Sequence, residues 1–395
     1  MKKHNSKNLI LSFALLGVFS SLFMSSCDGV IFSDIRKEVE LADAKISGDI
    51  QSIIRYKYNN EEHIFVSNGE IYHRSVETSV VESKIDWQTF SNPTGFVYAL
   101  AADSTNLYAA SVVIEEDDDG YNVGKTRGLY CYKDGSWEEI WSASYSSSVK
   151  ARLFCTNTPQ SANREAYFRV GTDSSSNIWK LDGTKPLTTD LTDTDKNTPM
   201  TKGDTDNSTS PTTGVNSCTK LGSDTYFSTA EAMTSNETKD KESTLIYRCS
   251  GDNIYYKGSI TTTTESDGTS TTTSSDYDWT PVNLDCSTIQ SIAVTQNYIL
   301  VGTSEGIAHQ SWATKEENGP KTGGIPNSGN TSFSTNATST LSSYYTIPAL
   351  LVVDPGLDES TATIFASSIT SSTSASLKNV GLWSYFATTG EWNRE

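Results

Sequence analysis

Histidine is scarce in this chain: four in 395 residues, one of them His4. The other three, His63, His73 and His309, stand at no metal-binding spacing from one another. The six cysteines are dispersed. No two lie within four residues of each other, which removes CxxC redox pairs and zinc-finger spacings. Positive charge is also short: 30 Lys and Arg face 48 Asp and Glu, a net charge of −18. A surface this acidic repels phosphate, so no nucleic-acid partner is expected. Hydrophobic residues, at 35%, are too few for a polytopic membrane protein. Aromatics nevertheless reach 10%, a full globular share that argues against wholesale disorder. The length permits two or three domains, or one large repeat domain.

The N-terminus carries the most specific signal. Lys2, Lys3 and Lys7 precede a 16-residue apolar stretch from Leu9 to Met24, interrupted by Ser12, Ser20 and Ser21. Met24-Ser25-Ser26-Cys27 follows. A charged start, a short apolar core and small residues before a cut site mark a secretory signal peptide. The stretch is short of the roughly 20 residues that a spanning helix needs. Its end resembles a relaxed bacterial lipobox, with Met24 where Leu is commonest. That resemblance implies diacylglycerol on the Cys27 sulfur, cleavage before it, and a bacterial cell-envelope location on a membrane, periplasmic or surface side open. An ordinary signal peptide with a chance Cys, or an uncleaved anchor, are the alternatives. Loss of residues 1–26 removes three lysines and no acid, taking the net charge from −18 to −21. A multi-chain lipid anchor suffices for stable attachment, so the body behind it can be soluble. Residues 27–47 read as a tether, with a short helix over 31–44.

After residue 47 no long helical period appears. Short runs rich in Ile, Val, Tyr and Phe alternate with Gly, Asn, Asp, Ser and Thr, an all-β pattern. An opening strand recurs six times: Ile50-Gln51-Ser52-Ile53, Val97-Tyr98-Ala99-Leu100, Val149-Lys150-Ala151-Arg152, Val215-Asn216-Ser217-Cys218, Ile289-Gln290-Ser291-Ile292 and Ile347-Pro348-Ala349-Leu350. A second strand follows each, as in His63-Ile64-Phe65-Val66 and Thr363-Ile364-Phe365-Ala366. A third usually opens on Gly, and a fourth carries Trp87, Trp137, Trp279 or Trp392. Four strands per unit are what a propeller blade requires, and a blade with one apolar face must stack on neighbours.

The rhythm resembles the six-bladed and WD40-like β-propeller superfamily over residues 48–395. It implies six four-stranded blades, with cores near 48–92, 96–144, 148–190, 214–284, 288–345 and 346–395. The WD40 Trp-Asp signature is absent, and Asp134-Gly135-Ser136-Trp137 matches only part of a sialidase Asp-box. Excess length sits in polar inserts at 186–213, 259–275 and 313–345. Residues 259–275 hold 13 Ser or Thr among 17, too polar to fold alone. They read as hairpin loops, sites of binding specificity or simply solvated.

Gly302-Thr303-Ser304-Glu305-Gly306 fits the nucleophile elbow in spacing, but strand is expected on both sides, so a hairpin turn explains both glycines. Gly120 to Thr126 resembles a P-loop one residue short and runs into strand, not helix. The acids Glu115 to Asp119 and Asp193-x-Asp195 make Asp117, Asp119, Asp193 and Asp195 weak Ca²⁺ candidates, although the EF-hand register fails because position twelve is Thr126. No cofactor is expected. The function that fits is a lipid-anchored, non-catalytic binding or scaffold module taking a protein or glycan through its loops. A propeller enzyme, such as a glycosidase or lyase, and an outer-membrane assembly component are the alternatives.

Overall fold

β-branched and aromatic runs between Gly, Asn and Asp turns leave little room for helix, and in the computed structural model every regular element among the described residues is a strand. Those residues are 46, 48–76, 87–158, 164–172, 175–202, 215–221, 224–229, 246–250, 253–255, 261–264, 270–273, 289–295, 298–311, 331–332, 345–353, 363–370, 380–386 and 391–395. Cys27, the signal segment, the helix expected over 31–44, Trp279, Cys286 and residues 203–213 lie outside them, as does 313–344 apart from Thr331–Ser332.

Within the unit formed by residues 44–393 and Glu395, the chain runs as successive sheets. The first holds β1 (Ser52–Tyr58), β2 (Glu61–Ser67), β3 (Ile71–Ser75) and β4 (Gln88–Thr89). The second holds β5 (Phe96–Ala102), β6 (Leu107–Glu116), β7 (Asn122–Lys133) and β8 (Ser136–Ser144). The third has β9 (Lys150–Cys155), β10 (Ala166–Gly171) and β11 (Ser176–Lys180). The fourth combines β12 (Thr201–Lys202), β13 (Val215–Leu221), β14 (Asp224–Thr229), β15 (Ile246–Ser250) and β16 (Asn253–Tyr255). The hairpin β17 (Thr261–Thr264) and β18 (Ser270–Thr273) forms a sheet of its own. The fifth contains β19 (Ile289–Val294), β20 (Tyr298–Thr303), β21 (Gly306–Ser311) and β22 (Thr331–Ser332). The sixth contains β23 (Tyr345–Thr346), β24 (Leu350–Val352), β25 (Thr363–Thr370), β26 (Gly381–Phe386) and β27 (Glu391–Arg394).

The opening tetrads lead into β1, β5, β9, β13, β19 and β24, preceded in the fourth and sixth sheets by the two-residue strands β12 and β23. β1 packs on β5, β5 on β9, β9 on β13, β13 on β19, β19 on β24, and β24 on β1. Their small residues Ser52, Ala99, Ala151, Ser217, Ser291 and Ala349 are all buried. The residue before each is half-buried: Gln51, Tyr98, Lys150, Asn216, Gln290 and Pro348. In three sheets that residue is a β-bulge, with register shifts between Val97 and Ala99, Val215 and Ser217, and Ile289 and Ser291. A bulge re-aims one side chain and bends the strand. In the sixth sheet Pro348 falls between β23 and β24; it has no N–H to give a ladder.

Second strands are buried on both faces, as at Ile64-Phe65-Val66 and Ile299-Leu300-Val301, because sheets pack against both sides of them. The cores lie between sheets. Phe154, Tyr167 and Ile178 of the third meet Val215, Cys218 and Phe227 of the fourth. Ile50, Ile53 and Ile64 of the first meet Leu351, Phe365 and Leu382 of the sixth. Buried serines tie the first strands: Leu100 N–H donates to Ser52 Oγ at 2.8 Å, and Ile292 N–H to Ser217 Oγ at 3.1 Å. Glu395 joins the sixth sheet to the first. Its carboxylate takes the Arg74 guanidinium at 2.8 Å, Trp87 Nε1–H at 3.2 Å and Ser384 Oγ–H at 2.6 Å.

Part of the 186–213 insert is folded, not solvated loop. Asn197 is 4% exposed, its side chain donating to Lys185 O at 2.8 Å and its N–H to Pro186 O at 2.9 Å. Met200 N–H donates to Ile178 O at 2.7 Å, along the open edge of β11, and Pro199 bridges Trp179. Residues 201–202 then join the fourth sheet as β12, parallel to β16. Composition hid this, because backbone hydrogen bonds hold the segment where apolar side chains are few.

Candidate functional site

Two concavities stand out, and the larger is partly lined by the 186–213 insert in which the sequence placed binding specificity. Gln51, Asn216, Gln290 and Pro348 line a cavity of about 60 Å³ among the first strands, together with Ser52, Leu153, Ser291 and Leu350. Asn157, held at a φ of 52° in the left-handed region just past β9, ties into β1 there. Its Nδ2–H donates to Ile53 O and its Oδ1 accepts Arg55 N–H, both at 3.1 Å. This volume is well below the roughly 300–1,000 Å³ of small-ligand sites.

The larger is a groove of about 560 Å³ whose volume lies inside that range. It is built from the β5–β6 turn, the start of β10, the end of β11 and the segment 181–200. Asp103 shapes the turn: its Oδ1 accepts the N–H groups of Thr105 at 2.7 Å and Asn106 at 2.6 Å, and its Oδ2 accepts Tyr108 O–H. The Tyr108 oxygen accepts Gly183 N–H at 2.8 Å, anchoring the far wall. Burial, with the Asp103 charge second, raises the Tyr108 pKa, so the phenol stays protonated. Trp179 Nε1–H holds Thr188 O at 2.9 Å.

Charge alternates along the groove. Lys180 meets Glu165 at 2.8 Å, Lys185 meets Asp182 at 2.6 Å, and Lys196 meets Asp193 at 3.5 Å. Glu165 also takes Lys220 at 3.1 Å and the hydroxyls of Tyr167 at 2.8 Å and Thr225 at 2.7 Å. Burial pushes its carboxyl up, but the Lys180 and Thr225 hydrogen bonds and the two lysine charges outweigh it and hold the group at about 2. Behind the wall, Arg164 binds Glu62 at 2.9 Å, and Glu62 also takes Arg55 at 3.4 Å.

Among the proposed Ca²⁺ ligands, Asp193 is a groove residue paired with Lys196, and its Oδ1 accepts Asp195 N–H at 3.1 Å. Asp117 sits at the tip of the β6–β7 hairpin, where its Oδ1 accepts the N–H groups of Asp119 at 3.1 Å and Tyr121 at 2.8 Å. Among the described residues no three His, Cys, Asp or Glu side chains gather as a metal site would need. Residues 122–126 are strand β7, and Ser304-Glu305 is the turn between β20 and β21. The structure also joins what the sequence kept apart: His63 and His73 meet across β2 and β3, their Nδ1 atoms 3.1 Å apart. Burial, aided by His63, lowers the His73 pKa to about 4. The sequence reading overlooked Arg164, Glu165, Lys180, Lys185 and Lys196. The only local signal was the Asp-x-x-Lys spacing at 182–185 and 193–196; Arg164 meets Glu62 across 102 residues.

No protein-family model matches the chain, and no curated protein matches it in sequence. Among solved structures it is similar to a Thermus thermophilus protein titled as a candidate oxidoreductase (glucose dehydrogenase), with 8% identity and a TM-score of 0.45 over 87% of this chain and 98% of that one. It is also similar to Saccharomyces cerevisiae Sqt1, with 10% identity and a TM-score of 0.34 over 89% of this chain and 86% of that one.

Proposed function

We propose that this chain is a lipid-anchored binding module of a bacterial cell envelope, a six-bladed propeller tethered through Cys27 that engages a glycan or protein ligand at the groove beside β10 and β11. The observation that carries the reading is the groove itself: 560 Å³, walled by charged and hydroxyl side chains on a hydrogen-bonded frame. Six first strands packed in cyclic order support the propeller architecture. The n-region, apolar core and Met24-Ser25-Ser26-Cys27 support the anchor.

Two measurements test it. Cys27→Ala is expected to abolish lipid labelling and release the protein from the membrane fraction; unchanged labelling and membrane association reject the anchor. Thr194→Trp fills the groove from an exposed position. It is expected to abolish retention on a glycan array and on solubilised envelope components without changing the melting temperature. Retention equal to wild type rejects the groove as the ligand site.

A further inference from the structure

The second sheet reaches past the packed part of the fold. β6, β7 and β8 run for 10, 12 and 9 residues, whereas no other strand among the described residues exceeds the 8 of β25. Residues 107–111 and 128–131 are buried and 112–127 are not, yet the ladder continues until Glu116 stands opposite Asn122. Four of the five large apolar side chains exposed among the described residues lie on this extension: Phe96 at 45%, Ile114 at 46%, Tyr121 at 69% and Tyr145 at 42%. Three of them share one face. Phe96 is opposite Val112, and Ile114, two residues further along β6, is opposite Gly124. A Cβ on Gly124 would meet the Tyr145 ring at 2.8 Å, so that ring lies over the glycine on the same side. Tyr145 N–H donates to Lys125 O at 2.8 Å, and the Arg127 guanidinium, bound to Val149 O, lies 4.4 Å over the ring. Tyr121 stands at the tip, where Asp117 Oδ1 accepts its N–H. Single exposed apolar residues are ordinary, but a cluster on a hydrogen-bonded frame marks an interaction surface.

Charge says what covers it. Residues 112–127 hold Glu115, Glu116, Asp117, Asp118 and Asp119 against Lys125 and Arg127, and counting Lys150 beside Val149 still leaves five acids to three bases. We propose that this face docks a basic protein segment, whose apolar side chains cover Phe96, Ile114 and Tyr145 while its lysines or arginines meet the acidic tip. Complementary charge of this kind steers encounter and sets register. A second copy in a two-fold contact would bring two acidic tips together, and an anionic bilayer would repel them. The surface is separate from the groove: β5 begins at Phe96 beside it and ends at Ala102, which leads into the Asp103 turn of the groove wall.

Fluorescence anisotropy on the full chain in detergent tests it with three labelled peptides, in which Leu and Trp alternate with Lys, with Ser or with Glu. The Lys peptide is expected to bind at least about tenfold more tightly than the Ser and Glu peptides, and to weaken as salt rises. Ile114→Ser combined with Tyr121→Ser is expected to lower that affinity by about tenfold at unchanged melting temperature. Glu115→Gln combined with Glu116→Gln is expected to flatten the salt dependence. Thr194→Trp, in the groove, is expected to change neither. Equal binding of the Lys and Ser peptides, as an apolar or lipid-facing surface without charge preference would give, overturns the inference. So does failure of the Lys peptide to bind, binding indifferent to the Ser pair, or binding that Thr194→Trp removes. A dimer in sedimentation that the Ser pair dissociates would assign the face to a second copy and overturn the inference as well.

Discussion

Single residues in this protein are decided by who stands opposite them. Glu165 ties β10 to β11 and to the fourth sheet, reaching Lys180, Lys220 and Thr225. Its side chain is 17% exposed and Lys220 is 11% exposed, so removing the carboxylate leaves a largely buried ammonium without its counter-charge. Glu165→Gln is expected to destabilise the fold at neutral pH by on the order of 2–3 kcal/mol, read from urea unfolding. The sign follows from the depressed folded pKa of about 2. Glu165 contributes fully above the ordinary carboxylate range, and the contribution falls away as pH drops toward 2. Wild type and variant should therefore converge across that window, and a gap that stays constant with pH would contradict the assignment. Cys131 and Cys155 are the opposite kind of residue. Burial raises their thiols to about 12 and about 11, so they serve as small core hydrophobes.

Between elements, close approach sets the limits. Gly302 of β20 packs against the neighbouring sheet. A Cβ there would come within 2.3 Å of Ser291 Oγ and 2.5 Å of Ile347 O. The second of those is backbone and cannot swing aside. Gly302→Ala is expected to cost roughly 1–3 kcal/mol, measured as a lower urea midpoint. The nucleophile-elbow spacing around Ser304 is thus a packing glycine followed by a turn in which Thr303 Oγ1 accepts Glu305 N–H at 2.9 Å. The Thr-rich insert behaves differently, since among the described residues β17 and β18 pair only with each other. Replacing residues 260–275 by a Gly-Asn turn should shift stability by less than about 1 kcal/mol, because loop-closure entropy varies only logarithmically with length. Loss of cooperative unfolding would mean that these residues belong to a larger packed sheet.

For the whole molecule, the junction between first and last sheets is the sensitive place. No strand from the N-terminus is seen to extend the sixth sheet among the described residues; Ile46 N–H reaches Glu395 O at 3.4 Å instead. The junction relies on Glu395, on Arg74 lying 5.1 Å over Trp87 and 5.0 Å over Phe365, and on the apolar contact of Ile53 and Ile64 with Leu351 and Phe365. Arg74 and Glu395 side chains are 7% and 10% exposed. Glu395→Gln removes one charge of a buried pair and is expected to destabilise by about 3 kcal/mol. An unfolding midpoint within error of wild type would show that the apolar contact alone holds the junction.

The sequence by itself marked the all-β class and the opening strands in chain order, but not β12, which comes from a segment read as loop. Six apolar-x-small triplets, five of them followed by an apolar residue and one by Arg152, marked the strands that pack on one another, because a small residue is needed wherever backbones approach closely. Tertiary structure alone decided the groove. Glu165 meets Lys220 from a strand some 55 positions away, Arg164 meets Glu62 from β2, and the folded half of the 186–213 insert is held by backbone hydrogen bonds that no side-chain period records. Local periodicity encodes burial, which is repetitive and short in range. Electrostatic complementarity in a site is set by distances between segments, and those exist only once the sheets have packed.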